Sequence, residues 1–265
     1  MTTVLPLEGP AQGNLLNTLI RVVFKGSKRS MELNLANTGQ DTATYTISVI
    51  QIRMNEDGCF ETIPEPCPGQ RFAGRFIRYF PRSVTLGPGE AQVVKIQLTR
   101  SNELKSGEYR SHFYFNALLA TKPHGEEKPV IDTTTISVRL TPVFGIMISV
   151  IIRAGANTAK VNLSDLGLDI INDTIPMIRF IFNRTWNMSV YGNMTVDHNS
   201  DKVKTTRIVV ANGVAVYAPN TIRRFQFNLN KIPGVDFAPG KLRVTYSASS
   251  DVKPVRYAEA ESQLR

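Results

Sequence analysis

The chain has 265 residues, with 31 Lys and Arg against 22 Asp and Glu, a formal net charge of +9. Apolar residues make up 42% of the sequence and charged residues 20%, which excludes a disordered or collagen-like protein. No stretch approaches the roughly 20 consecutive apolar residues of a membrane-spanning helix, so we expect a soluble protein that does not insert into a membrane.

The excess of positive charge favours acidic partners such as nucleic acid, anionic lipid or an acidic protein surface. The cations are scattered, however, and the densest group, residues 25–29, contains no aromatic residue on which a base can stack. We therefore predict a solvated basic surface and no nucleic-acid partner.

The first half of the chain alternates apolar and polar residues, the pattern of half-buried β-strands. The alternation is clear in residues 31–35, 45–49, 94–98 and 111–117. A polar stretch that contains Pro and Gly, residues 122–129, predicts an exposed loop.

The second half shows the same alternation of apolar and polar residues. The Asn212-Gly213 pair between two alternating runs predicts a β-hairpin. No window longer than about ten residues keeps helical spacing. We predict an all-β protein of two tandem β-sandwiches, with an N-terminal extension (1–14), a first domain (15–153) and a second domain (154–265).

The sequence contains no motif that indicates catalysis. Its three histidines (His112, His124 and His198) have no metal-ligand spacing, and neither a nucleophile elbow nor a phosphate-binding glycine loop occurs. We predict that the protein is not an enzyme and that it holds no metal or cofactor.

The two cysteines, Cys59 and Cys67, lie in a proline-rich segment, residues 58–69. A turn there would bring them into bonding range, which would place the protein in an oxidising compartment. Free thiols are the alternative, and we predict the disulfide. The N-terminus shows no export signal, so an exported form would have lost it.

Residues 133–153 are β-rich and much longer than the usual strand of about five to six residues. One parity of this segment is apolar: Ile136, Val138, Leu140, Pro142, Phe144, Ile146 and Ile148. Such a strand can outrun its own sheet and add to the sheet of another protein. The alternative is a core strand of the first domain that simply continues into the linker.

Several blocks, in this order and spacing, resemble the periplasmic pilus-assembly chaperones of the chaperone–usher pathway, in a divergent branch. They are residues 19–31, 37–39, 79–96, 104–112, 189–192, 214–219 and 242–246. The resemblance implies two immunoglobulin-like domains in a boomerang arrangement and a periplasmic location. It also implies that the chaperone lends a strand to an incomplete pilin or fimbrial subunit (donor-strand complementation) and delivers the subunit to an outer-membrane usher.

The resemblance also assigns roles to residues. Arg21 matches the arginine that holds the C-terminal carboxylate of the subunit in the interdomain cleft. The donor residues would be Val138, Leu140, Phe144 and Ile146.

Two positions depart from the family pattern. A lysine of the cleft aligns with Ser149, and Arg139 or Arg153 are the candidates to replace it. Pro142 removes one N–H group from the donor strand.

A free chaperone of this kind is also expected to self-associate through the donor strand. The alternative function is an extracellular two-domain immunoglobulin-like adhesion or structural module that binds a ligand through its loops. Such a module would carry an anchor or a repeat array, and the sequence shows neither.

Overall fold

The computed structural model describes residues 15–17, 21–118, 145–171, 175–200, 203–229, 240–249 and 255–264. Within these ranges the chain forms eighteen strands and two short 3-10 helices, Gly74–Phe76 and Ser101–Glu103. The predicted all-β class is therefore confirmed. Neither of these helices is long and apolar enough to cross a membrane.

The strands follow one another in this order: β1 (Leu15–Asn17), β2 (Arg21–Lys25), β3 (Ser30–Asn37), β4 (Ala43–Ile50), β5 (Ile52–Met54), β6 (Phe60–Thr62), β7 (Ile77–Phe80), β8 (Ser83–Leu86), β9 (Ala91–Leu98), β10 (Gly107–Leu118), β11 (Gly145–Ala154), β12 (Lys160–Ile171), β13 (Ile175–Thr185), β14 (Val190–Ser200), β15 (Val203–Val216), β16 (Ile222–Asn228), β17 (Gly240–Ala248) and β18 (Arg256–Leu264).

The chain divides into two compact units. The first contains the described residues up to Ile50, then Phe72–Leu104, then Arg110 to Ile152. The second contains Gln51–Arg71, Lys105–Tyr109 and the described residues from Arg153 onward. This grouping differs from the predicted first domain of 15–153 by assigning two internal segments to the second unit. The predicted boundaries and the boomerang arrangement stay predictions.

The first unit packs a four-stranded sheet, in the order β1-β3-β9-β7, against a five-stranded sheet, in the order β2-β11-β10-β4-β8. As the alternation in the sequence predicted, every second side chain of these strands points into the core. The buried side chains include Leu33 and Ile96 of the first sheet and Tyr45 and Phe113 of the second. The ring of Tyr79 on β7 meets Phe113 edge-on at 4.8 Å between centroids, which joins the two sheets.

The second unit packs a three-stranded sheet (β12-β13-β16) against a four-stranded sheet (β15-β14-β17-β18). Its core is rich in aromatic residues: Phe180 and Phe182 on β13 and Phe225 on β16 contact one another. Phe182 also meets Tyr246 of the opposite sheet at 5.0 Å between centroids. Two sandwiches, as predicted, account for the described core.

The predicted hairpin at Asn212-Gly213 is wrong, because residues 203–216 form one continuous strand, β15. Gly192 pairs with Val214 and Met194 with Ala211, so two residues of β15 lie opposite one residue of β14. This arrangement is a β-bulge. Gly213 has a φ of 74°, and its N–H donates to Asn193 Oδ1 at 3.1 Å. The left-handed glycine thus serves a bulge rather than a turn.

The segment Gln51–Arg71 is fixed to the second unit by contacts with the residues around β16. Asn220 Nδ2 donates to the carbonyls of Met54 at 2.7 Å and Asn55 at 3.1 Å. The N–H of Arg224 donates to the Glu56 carbonyl at 2.7 Å. These hydrogen bonds, between residues more than 160 positions apart, explain why the segment groups with the second half of the chain.

Candidate functional site

The candidate donor strand enters the described structure as β11, which lies between β2 and β10 in the five-stranded sheet. Its even-numbered side chains Ile148, Val150 and Ile152 are at most 2% exposed in the core of the first unit. Ile146, the next member of this row, is only half-buried. The apolar row therefore emerges from its own core towards the N-terminal end of β11.

The other predicted donor residues, Val138, Leu140 and Phe144, lie outside the described residues, as do Pro142 and Arg139. Their assignment stays a prediction. Ile146 is the one predicted donor residue that the structure describes, and it is half-buried.

β11 is longer than the strand on one of its sides. β2 has five residues and β11 has ten, so β2 can pair with at most half of β11. Among the described strands, the remaining part of that edge has no neighbour on the β2 side. An edge of this kind offers N–H and C=O groups to a further strand.

Ser149, at the position where the resemblance expects a lysine, faces away from the core. The Ser149 Oγ and His112 Nε2 atoms share a hydrogen bond of 3.0 Å, and both residues are buried. The position therefore holds a neutral hydroxyl with a neutral imidazole as its partner. Burial, reinforced by the charge of Arg110, lowers the pKa of His112 to about 3.

Arg110 is the cation that sequence reasoning missed. It lies two residues before His112 on β10, so it shares the face of Ser149 and His112, and it is only 4% exposed. The signal was present in the sequence, because Glu108, Arg110 and His112 place polar groups on one parity of an otherwise apolar strand.

Arg153, one of the two candidates for the missing cation, is already paired within the second unit. Its Nε lies 3.2 Å from Glu108 Oε2, and its Nη2 donates to the Ser189 carbonyl at 2.8 Å. Glu108 also accepts from the N–H and hydroxyl of Ser189. Because this network neutralises the guanidinium, Arg153 is a poor replacement for the lysine.

Arg21 begins β2, the strand next to β11, and is half-buried. Val22 and Phe24 point into the core, so Arg21 faces the other side of the sheet. Arg21 and Ser149 thus occupy the same face on neighbouring strands. A guanidinium suits the predicted role because its planar fork can donate to both oxygens of a carboxylate.

The predicted Cys59–Cys67 disulfide is not formed in the structure, which holds both residues as free thiols. Cys67 Sγ accepts a hydrogen bond from Arg53 Nη1 at 3.3 Å, and Arg53 pairs in register with Glu61. Cys59 directly precedes β6, and its N–H donates to Asn55 Oδ1 at 2.9 Å. The Cys67 thiol thus contacts Arg53 and is not bonded to Cys59.

The described residues offer no other obvious ligand site. None of their His, Cys, Asp and Glu side chains form a group of three or more that could hold a metal ion. A pocket of about 190 Å³ in the second unit is lined partly by Arg179 and Arg224. These cations already pair with Asp169 and Glu56, respectively.

No family model matches the chain, and no curated protein matches it. The solved structures to which it is similar include chaperones of fimbriae. The YadV chaperone is 12% identical, with a TM-score of 0.47, over 94% of this chain and 99% of that one. The class 5 fimbriae chaperone CfaA is 14% identical, with a TM-score of 0.41, over 95% and 99%. A Salmonella enterica complex of the SafA pilin with the SafB chaperone gives 13% identity and a TM-score of 0.44, over 95% and 96%.

Proposed function

We propose that this chain is a periplasmic chaperone that binds pilin or fimbrial subunits by donor-strand complementation and delivers them to an outer-membrane usher. The observation that carries the proposal is the apolar row of β11. It is buried from Ile152 to Ile148, half-exposed at Ile146, and continued on the same parity by Phe144 and Leu140 in the sequence.

Donor-strand complementation makes two physical demands on the chaperone. A subunit that lacks its last strand exposes an apolar groove and an unpaired sheet edge, both of which promote aggregation. A donor strand must therefore supply alternate apolar side chains and a free backbone edge at the same place. β11 supplies the row, and its edge extends beyond the five residues of β2.

We assign to Arg21 the capture of the C-terminal carboxylate of the subunit. Its position on β2, next to the donor strand, allows one subunit to contact both features. A charge-assisted pair at the chain end would also fix the register of the subunit along β11.

The test is coexpression with a fimbrial subunit whose sandwich lacks its last strand. In the variant Leu140→Asp/Phe144→Asp, we expect the subunit to be lost from the purified complex, because two charges would enter its apolar groove. The matched control is Val93→Asp, at an exposed position of β9.

Both variants should keep the unfolding temperature of the unmodified protein. Retention of the subunit by the double variant would refute the donor-strand assignment. A similar loss from the Val93→Asp control would show that the effect is not specific to the strand.

A further inference from the structure

Gly145, the first residue of β11, lies against the aromatic ring of Tyr114 on β10. A Cβ atom at Gly145 would lie 2.6 Å from the ring Cζ of Tyr114 and closer still to its Cε2 and Oη atoms. Real Cβ atoms do not approach other atoms so closely. While the Tyr114 ring keeps this position, it leaves no room for a side chain at Gly145.

The position of this contact follows from the pairing of β10 and β11. His112 meets Ser149, whereas Tyr114, further along β10, meets Gly145, earlier on β11. The two strands are thus antiparallel, and the Tyr114 ring reaches diagonally along β11, as aromatic side chains can. The contact lies immediately after Phe144, where the apolar row leaves its own core.

The contact also selects one register. A slip by one residue would turn the apolar row to the wrong face, so the smallest slip that keeps the faces is two residues. Such a slip would place the side chain of Val143 or Met147 beneath the Tyr114 ring. Neither is a glycine, so either side chain would have to displace the ring from its place over β11.

We propose that Tyr114 and Gly145 are positioning residues that pin the register of the donor strand. They determine which apolar side chains the strand presents to a subunit, and this inference rests on the proposed function. The substitution Tyr114→Phe keeps the ring atoms Cε2 and Cζ, so the geometry predicts that it preserves the contact.

The test uses the full chain with the substitutions Tyr114→Ala, Tyr114→Phe and Gly145→Ala. The matched control is Leu118→Ala, on the same strand and face and 45% exposed. The first readout is backbone amide hydrogen exchange of residues 145–148 in the free protein, which needs no subunit. We expect faster exchange in Tyr114→Ala and Gly145→Ala, and unchanged exchange in Tyr114→Phe and Leu118→Ala.

The second readout is the affinity for the same fimbrial subunit as in the coexpression test. We expect about tenfold weaker binding for Tyr114→Ala and Gly145→Ala, and unmodified binding for Tyr114→Phe. The double variant Gly145→Ala/Tyr114→Ala should bind about as well as either single variant, because both substitutions remove the same contact.

The outcomes separate the two proposals. If the unmodified chain does not bind the subunit, the proposed function is refuted. The exchange data still test whether Tyr114 and Gly145 fix the register of β11. Unchanged exchange and binding in Tyr114→Ala would refute the role of Tyr114 in fixing the register, but not the proposed function. If Tyr114→Ala does not fold, Tyr114→Leu replaces it, and the same two readouts apply.

Discussion

At the scale of single residues, the Ser149–His112 pair is the clearest departure from the family pattern. The position at which a lysine was expected is buried, and its neighbour His112 is held neutral. The resemblance predicted a lysine at the position that Ser149 occupies. It did not show the partner, because the contact depends on the register between β10 and β11.

His112 gives the protein a defined response to acid. Its pKa is about 3 in the folded chain and 6.5 in the unfolded chain, so between these values the unfolded chain binds more protons. Titration of His112 therefore does not reduce the free energy of unfolding above pH 6.5. As the pH drops from 6.5 towards 3, it lowers the free energy of unfolding progressively. Urea unfolding at pH 7.5 and 4.5 measures the loss, which we expect to reach a few kcal/mol.

His112→Asn is the comparison variant, since asparagine can keep a hydrogen bond to Ser149 but does not titrate. Its stability should be lower at pH 7.5 and should change less between the two pH values. Parallel losses in the variant and the unmodified chain would contradict the assignment of this acid response to His112.

At the scale of elements, alternation predicted the strands well. Residues 31–35 and 94–98 lie in β3 and β9, and the 111–117 run lies in β10. Alternating burial depends only on the order of residues within one strand, so it can be predicted from the sequence. The Asn212-Gly213 error shows the limit: a left-handed glycine suits a hairpin turn and a bulge equally, and only the partner strand distinguishes them.

The bulge should tolerate a side chain poorly. Gly213→Ala adds a Cβ atom both in a left-handed conformation and within 2.8 Å of Tyr191 Oη. We expect a loss of about 1–3 kcal/mol, measured by urea unfolding. Gly26→Ala is the matched control, because Gly26 has a φ of 62° but open space around it. An equal loss in both variants would mean that the collision adds nothing.

At the scale of the whole molecule, the segment Gln51–Arg71 groups with the second unit, whereas the predicted first domain includes it. It follows β4 directly, so chain order suggested the first domain. Its partners, Asn220, Arg224 and the Tyr217 ring that meets Phe60 at 6.1 Å, lie far along the chain. Contacts between residues so far apart in the chain produce no local sequence pattern, so they could not be predicted from the sequence.

Asn220→Ala tests the importance of this attachment. It removes the hydrogen bonds to the Met54 and Asn55 carbonyls, so we expect the second unit to lose about 1–3 kcal/mol of stability. Fluorescence of Trp186, the one tryptophan of the sequence and a residue of that unit, reports the unfolding. Asn162→Ala, at an exposed position of β12, is the control and should change little. The same loss in both would argue against a special role for Asn220.

The proposed function depends on one event, the pairing of the segment around residues 138–146 with a foreign sheet. Amide hydrogen exchange of the free chain and of its complex with the fimbrial subunit measures that pairing directly. The account predicts strong new protection at 138–146, because strand addition would engage the backbone N–H groups there. A stable complex in which these amides exchange as fast as in the free chain would contradict it.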